Sequence, residues 1–174
     1  MTDSQHFRAN VGIVVVGPDN RVLAFERRMQ GQDCNSRSNA WQFPQGGLEP
    51  GEEPSTAWRR ELAEETNIQP EQVELLFEYP GWLAYELPPS ARRSPAIRGQ
   101  VQKWFFVRLW DATLVDPLAA ARAHGLEPEF CRHEWITMEE AVQRVWSAKQ
   151  PIYRQLQRHL EQHLGTMSNP EGPL

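Results

Sequence analysis

Between Gly46 and Ile68 the chain reads GGLEPGEEPSTAWRRELAEETNI, and no other stretch constrains the fold as tightly. A glycine-rich turn leads through Glu52 into a segment that carries Arg60, Glu61, Glu64 and Glu65 within little more than one helical turn. Pro54 suits a first helical position, where no amide donor is needed, and Glu52 and Glu53 lie where the helix dipole is positive. A helix is therefore predicted to start close to Pro54. At about 100° per residue, Glu61, Glu64 and Glu65 fall in one arc with Ala57, while Trp58 and Leu62 occupy the neighbouring arc and are predicted to face the core.

Glu61 and Glu65 stand four residues apart, a like-charge spacing that destabilises an isolated helix by about 0.2–0.5 kcal/mol. Only Arg60 lies close enough to offset it. Such a cluster is either a solvated acidic face or a set of oxygen ligands for hard divalent cations such as Mg²⁺, which shares its shell with substrate phosphates. Spacing alone does not choose between these readings.

The order Gly-x5-Glu-x7-Arg-Glu-aliphatic-x-Glu-Glu-x-Gly-aliphatic is the box of the Nudix family, and Gly46, Glu52, Arg60, Glu61, Leu62, Glu64, Glu65 and Ile68 resemble it in register. The departure is Asn67 where the family has glycine. That position stops the helix, and Asn is the next most tolerant residue of the left-handed conformation such a stop uses.

The chain's 174 residues with 40% hydrophobic content suit one core, so residues 1–165 are expected to form one domain and residues 166–174 a disordered tail. No apolar run approaches the ~18 residues of a spanning helix, and the N-terminus lacks a signal-peptide pattern, so a cytoplasmic protein is expected. Cys34 and Cys131 form neither a metal spacing nor a disulfide framework. The formal net charge of −5 argues against an extended nucleic-acid surface. Oligomeric state is not legible.

Val11 to Val16 and Val22 to Glu26 read as an antiparallel hairpin turning at Gly17-Pro18-Asp19-Asn20. Gly31 to Ala40 reads as an exposed loop, and Trp41 to Pro44 as a short extended run delivering Gln45, Gly46 and Gly47 to the box. Val73 to Tyr79 and Trp82 to Leu87 are predicted to be two strands broken at Pro80 and Gly81. Pro88 to Gly99, with Arg92, Arg93 and Arg98, reads as a solvated loop, and Gln100 to Leu109 as a buried central strand. A short helix is expected after Pro117, a strand at Glu134 to Thr137, and helices from Met138 to Trp146, capped by Thr137, and from Pro151 to Leu164.

The resemblance implies the Nudix fold, an α/β architecture in which a mixed β-sheet is sandwiched between α-helices. Outside the box it narrows to RNA pyrophosphohydrolases and dinucleoside polyphosphate hydrolases. It does so on Arg8 with Asn10 to Val14, Trp41 to Gly47, Trp82-Leu83 with Tyr85, Gln102 to Phe105, and Pro128-Glu129-Phe130. It implies hydrolysis of a phosphoanhydride in a nucleoside 5′-polyphosphate, with Mg²⁺ as cofactor and Mn²⁺ as a substitute.

By that resemblance Glu61, Glu64, Glu65 and Glu129 are metal ligands, with the Gly46 carbonyl a further one. Glu64, Glu65 and Glu129 are the candidates for the catalytic base, and Glu52 is the structural partner of Arg60. Arg8, Arg28 and Lys103 are candidates for gripping phosphates, with Gln45 and Tyr85 in the substrate site. The flanking motifs favour removal of pyrophosphate from the 5′-triphosphate end of RNA. The acidic balance favours a dinucleoside polyphosphate, which needs only a basic pocket. A non-catalytic nucleotide-binding module would be expected to have lost box carboxylates, and all are present.

Overall fold

The computed structural model describes residues 6–27, 41–92, 94–111, 113, 115–117, 119, 123, 125 and 129–167. Its strands are β1 (His6–Val16), β2 (Val22–Arg27), β3 (Trp41–Gln42), β4 (Gln45–Gly47), β5 (Val73–Glu86), β6 (Ile97–Leu109) and β7 (Phe130–Ile136). Its helices, by the same numbering, are α1 (Pro54–Thr66), α2 (Met138–Arg144) and α3 (Gln150–Met167). Pro117 opens a further helical segment of which only Ala119 and Ala123 are also described, with the Asp116 carboxylate accepting from the Ala119 amide at 2.9 Å.

Among the described residues one mixed sheet runs β3-β2-β1-β6-β5, with β4 added to β1 and β7 to β2. β1 and β6 are parallel from His6↔Ile97 to Val16↔Arg108. The other edge of β1 is shared. β4 takes Asn10 to Gly12, and β2 meets it at Val16↔Val22, the expected hairpin. The short strand that begins the box is thus pinned to the middle of the sheet.

Alternation along β1 and β6 builds two cores. Val11, Ile13, Val15, Phe105 and Val107 face Ala57, Trp58, Leu62 and Ile68 on the α1 side. Val14, Val16, Trp104 and Phe106 face Ile152, Tyr153, Leu156 and Leu160 on the α3 side. The sheet therefore lies between helices, as the resemblance implied. Tyr153 anchors α3 further: its hydroxyl accepts from the Phe43 amide at 2.7 Å and its ring stacks on Phe43 at 4.6 Å.

Several expected boundaries are corrected. β5 is one strand, not two, because Tyr79-Pro80-Gly81 form a bulge between the pairs Glu78↔Phe105 and Trp82↔Lys103. Among the described residues β5 pairs with β6 alone, so Pro80 interrupts no second ladder. β6 starts at Ile97, which shortens the expected loop, and that loop contains a 3₁₀ turn over Pro89–Ala91. β7 begins four residues early, at Phe130, paired along β2. α2 stops at Arg144, two residues short of Trp146, and α3 runs past Gly165 to Met167. The expected loop at Gly31 to Ala40, with Cys34, and the tail from residue 168 lie outside the described residues, as do most of residues 118–128.

Candidate active site

The box helix forms as its local signals dictate. Pro54 occupies the first turn after an extended Glu53, and the chain enters through Gly51 at φ 79°. Asn67 ends the helix at φ 67°, its amide donating to the Ala63 carbonyl. The Asn in the glycine position therefore performs the same left-handed stop.

Arg60 ties the loop to the helix. Its Nε and Nη2 bind the two oxygens of Glu52 at 3.0 and 2.8 Å, and Nη2 also reaches the Gly47 carbonyl at 3.0 Å. Its Nη1 donates to Glu61 at 2.8 Å and Glu64 at 3.2 Å. Glu52 also accepts from the Glu49 amide at 2.9 Å, and the hydrogen bond from Arg60 leads the causes that hold its carboxyl below the usual range. One guanidinium thus fixes the loop and aims two further carboxylates.

Glu61 is buried and lies against Gly46, where any Cβ would fall inside its carboxylate. Burial raises its pKa, opposed by Arg60 and reinforced by Glu64 and Glu129. Glu65 accepts from the Gln45 amide at 3.0 Å, and its pKa is pushed well up by burial and then by Glu129 and Glu61. Glu129, immediately before β7, therefore reaches the α1 face, where it pairs with Arg27 at 3.0 Å. Glu64 lies outside the cleft lining, turned to Arg60.

Gly46, Glu61, Glu65 and Glu129 line a cleft of about 760 Å³. Arg8, Arg27, Tyr85, Trp146 and Lys149 line the same cleft. Arg8 covers Gly47, whose Cβ position its guanidinium would occupy. Lys149 donates to Gln45 at 2.9 Å and Gln42 at 3.2 Å, and Gln102 donates to the same Gln45 oxygen at 3.1 Å. Burial, and then the nearby Arg27, lower the Lys149 pKa to about 7. The Tyr85 hydroxyl donates to Gln100 at 2.8 Å, and burial raises its pKa.

The expected site residues divide. Arg8, Gln45, Gly46, Glu61, Glu65, Tyr85 and Glu129 converge on the cleft. Lys103 does not: its ammonium binds the Tyr79 carbonyl at 2.7 Å and Glu78 at 3.4 Å, beside the β5 bulge. It alternates with Gln102 and so leaves from the other face of β6. Arg28 lies outside the described residues, and its neighbour Arg27 enters the cleft. Lys149 and Trp146 were missed. They sit at the short connection between α2 and α3, where no spacing or motif marks a residue that only tertiary packing brings to the site.

The donor set suits a hard cation. After burial, Glu61 is raised by Glu64 and Glu129, and Glu65 by Glu129 and Glu61, a repulsion that a divalent ion would neutralise. Among the described residues no three carboxylates, imidazoles or thiolates already converge as a finished ligand set. Arg60 and Arg27 hold Glu61, Glu64 and Glu129 in ion pairs instead.

The NUDIX domain profile matches residues 6–156, and the chain belongs to the Nudix family. Within it, the chain is 38% identical over 162 residues to the RNA pyrophosphohydrolase of Teredinibacter turnerae, covering 92% of this chain and 88% of that one. It is likewise 38% identical over 165 residues to the RNA pyrophosphohydrolase of Aeromonas hydrophila, covering 91% and 86%. The E. coli dihydroneopterin triphosphate pyrophosphohydrolase superposes with a TM-score of 0.64 at 21% identity, over 91% of this chain and 97% of that one, and shares the fold. No helix of the described residues is long and apolar enough to cross a membrane.

Proposed function

We propose that this chain is a cytoplasmic, Mg²⁺-dependent hydrolase that removes pyrophosphate from the 5′-triphosphate end of RNA. The observation that carries this reading is the convergence, in one cleft, of the Glu61, Glu65 and Glu129 carboxylates with the Arg8, Arg27 and Lys149 cations. The two RNA pyrophosphohydrolase relatives, alike over most of their length, support the substrate.

Glu61, Glu64, Glu65 and Glu129, with the Gly46 carbonyl, would hold the divalent ions, and Mn²⁺ would substitute for Mg²⁺. Bound there, such ions neutralise the phosphate chain and acidify water. The protein's own groups do the rest. Arg8 and Arg27 grip the polyphosphate and fix its line of attack. Arg60, through Glu52 and the Gly47 carbonyl, keeps the box loop against the helix. Glu129 takes the proton of the attacking water: its ion pair with Arg27 is part exposed, where Glu61 is buried. Water adds to the 5′ phosphorus, the anhydride oxygen leaves with pyrophosphate, and a 5′-monophosphate end remains.

The test is product identity. A 5′-triphosphorylated RNA should yield pyrophosphate and a 5′-monophosphate, and release of nucleoside or of nothing would refute the assignment. The formal charge of −5 favours a second reading, a dinucleoside polyphosphate hydrolase, since such a substrate needs no basic approach surface. Diadenosine tetraphosphate in the same assay separates the two.

A further inference from the structure

The acidic balance of the chain conceals one local excess of positive charge. Because β1 and β6 are parallel, their first residues arrive together: His6 beside Ile97, Phe7 beside Gly99, Arg8 beside Gln100. The 3₁₀ turn over Pro89–Ala91 closes the same end of the cleft, which Leu87, Ala91 and Ile97 line with apolar surface. Arg92 donates through Nε to the Leu87 carbonyl at 2.9 Å, which fixes its guanidinium at this lip. Its terminal nitrogens make no hydrogen bond among the described residues. Arg98 binds Glu86 at 2.6 Å with both side chains half exposed, and its guanidinium stands 6.0 Å over the Phe7 ring. Glu86 feels both Arg98 and Arg92 and is the one carboxylate they share. Two guanidiniums here thus share one acid.

Hydrolysis of the anhydride needs neither Arg92 nor Arg98, which lie outside the carboxylate cluster and the cleft lining. An apolar strip bordered by solvent-facing guanidiniums and a phenyl ring suits single-stranded nucleic acid. Its bases stack on apolar and guanidinium planes while its phosphates take the charge. We infer that this lip is a second subsite, which binds the RNA strand on the 3′ side of the nucleotide whose triphosphate is cleaved. Its phosphates rest on Arg92 and Arg98. The inference builds on the RNA reading above. A dinucleoside polyphosphate has no phosphate beyond its second nucleoside and makes no use of the lip.

The experiment compares wild type, Arg92→Gln/Arg98→Gln and Arg92→Lys/Arg98→Lys. Substrates are a 5′-triphosphorylated dinucleotide, a 5′-triphosphorylated octanucleotide and diadenosine tetraphosphate. Binding of a 5′-monophosphorylated octanucleotide is read in parallel by fluorescence anisotropy across a salt series. In the Gln pair, kcat/KM on the octanucleotide falls about fivefold or more, and the slope of log Kd against log salt shrinks by about 1.4, the equivalent of two single-strand phosphate contacts. The Lys pair restores most of both, diadenosine tetraphosphate is unaffected, and the dinucleotide, with its single phosphodiester, loses less than the octanucleotide. Equal losses on long and short substrates, or no loss on either, overturn the subsite. Should the wild type cleave no RNA yet bind the octanucleotide through these arginines, the reaction assignment fails and the lip stands. If it binds no octanucleotide, the lip fails whatever the enzyme cleaves.

Discussion

The Glu61 carboxylate lies against the Cα of Gly46, in the space that any side chain at that position would fill. The glycine is required here by close approach, not by backbone angle. Gly46→Ala should therefore displace Glu61 at a cost of about 1–3 kcal/mol in stability, the usual range for overpacking. Thermal melts give the cost and Mg²⁺-dependent hydrolysis the consequence. Activity should fall by more than the stability loss explains, and a fully active variant would show that Glu61 can move without penalty.

Arg60 serves four acceptors at once, and lysine cannot reproduce its fork. Arg60→Met leaves Glu61 buried with no cationic partner and should destabilise the fold by about 2–4 kcal/mol in the absence of metal. Saturating Mg²⁺ should recover part of that loss, because it supplies the missing positive charge. A denaturation series with and without Mg²⁺ measures both. Glu52→Gln should act in the same direction but more weakly, through the loop.

The raised pKa values of Glu61 and Glu65 fix the direction of a pH effect. Both are held above the ordinary value of 4.5, chiefly by burial, so the metal-free folded protein keeps protons that the unfolded chain has already released. Its stability should fall as pH climbs from about 4.5 through the raised values. A divalent ion binds the ionised carboxylates, so Mg²⁺ affinity should rise over the same window and binding should release protons. Calorimetry in two buffers of different ionisation enthalpy reads that release, and a heat independent of buffer would contradict it.

Lys149 is the cation that sequence did not reveal. It holds the Gln45 side chain, and the Gln45 backbone amide binds Glu65. Lys149→Met removes a buried charge while keeping its volume, which is close to neutral or stabilising for the fold. Melting temperature should stay level or rise while kcat/KM falls by about tenfold, or 1.4 kcal/mol. A drop in both would mean that Lys149 serves packing rather than the site.

What sequence conveyed was what local chemistry determines. Pro54 and Asn67 mark the ends of α1 by their own backbone preferences, so helix and carboxylate face were readable together. The strands of the central sheet were readable from their β-branched and aromatic runs. Lys103 was misplaced because one residue of alternation separates it from Gln102, and only the pairing of β6 with β1 decides which of the two faces the cleft. The Pro80-Gly81 break was overread because those residues look like a turn in isolation, whereas an outer strand absorbs them as a bulge. Lys149 and Trp146 reach the cleft through the docking of α2 and α3, which no short-range pattern records.

The most direct test of the central claim is kcat/KM with Mg²⁺ for wild type and Glu65→Gln, measured on a 5′-triphosphorylated RNA and on diadenosine tetraphosphate. The wild type should favour the RNA by about tenfold or more, equal to about 1.4 kcal/mol of transition-state preference. Glu65→Gln should lose activity on both substrates. A wild type that favours the dinucleotide would contradict the RNA assignment, and a Glu65→Gln variant as active as wild type would contradict the carboxylate site itself.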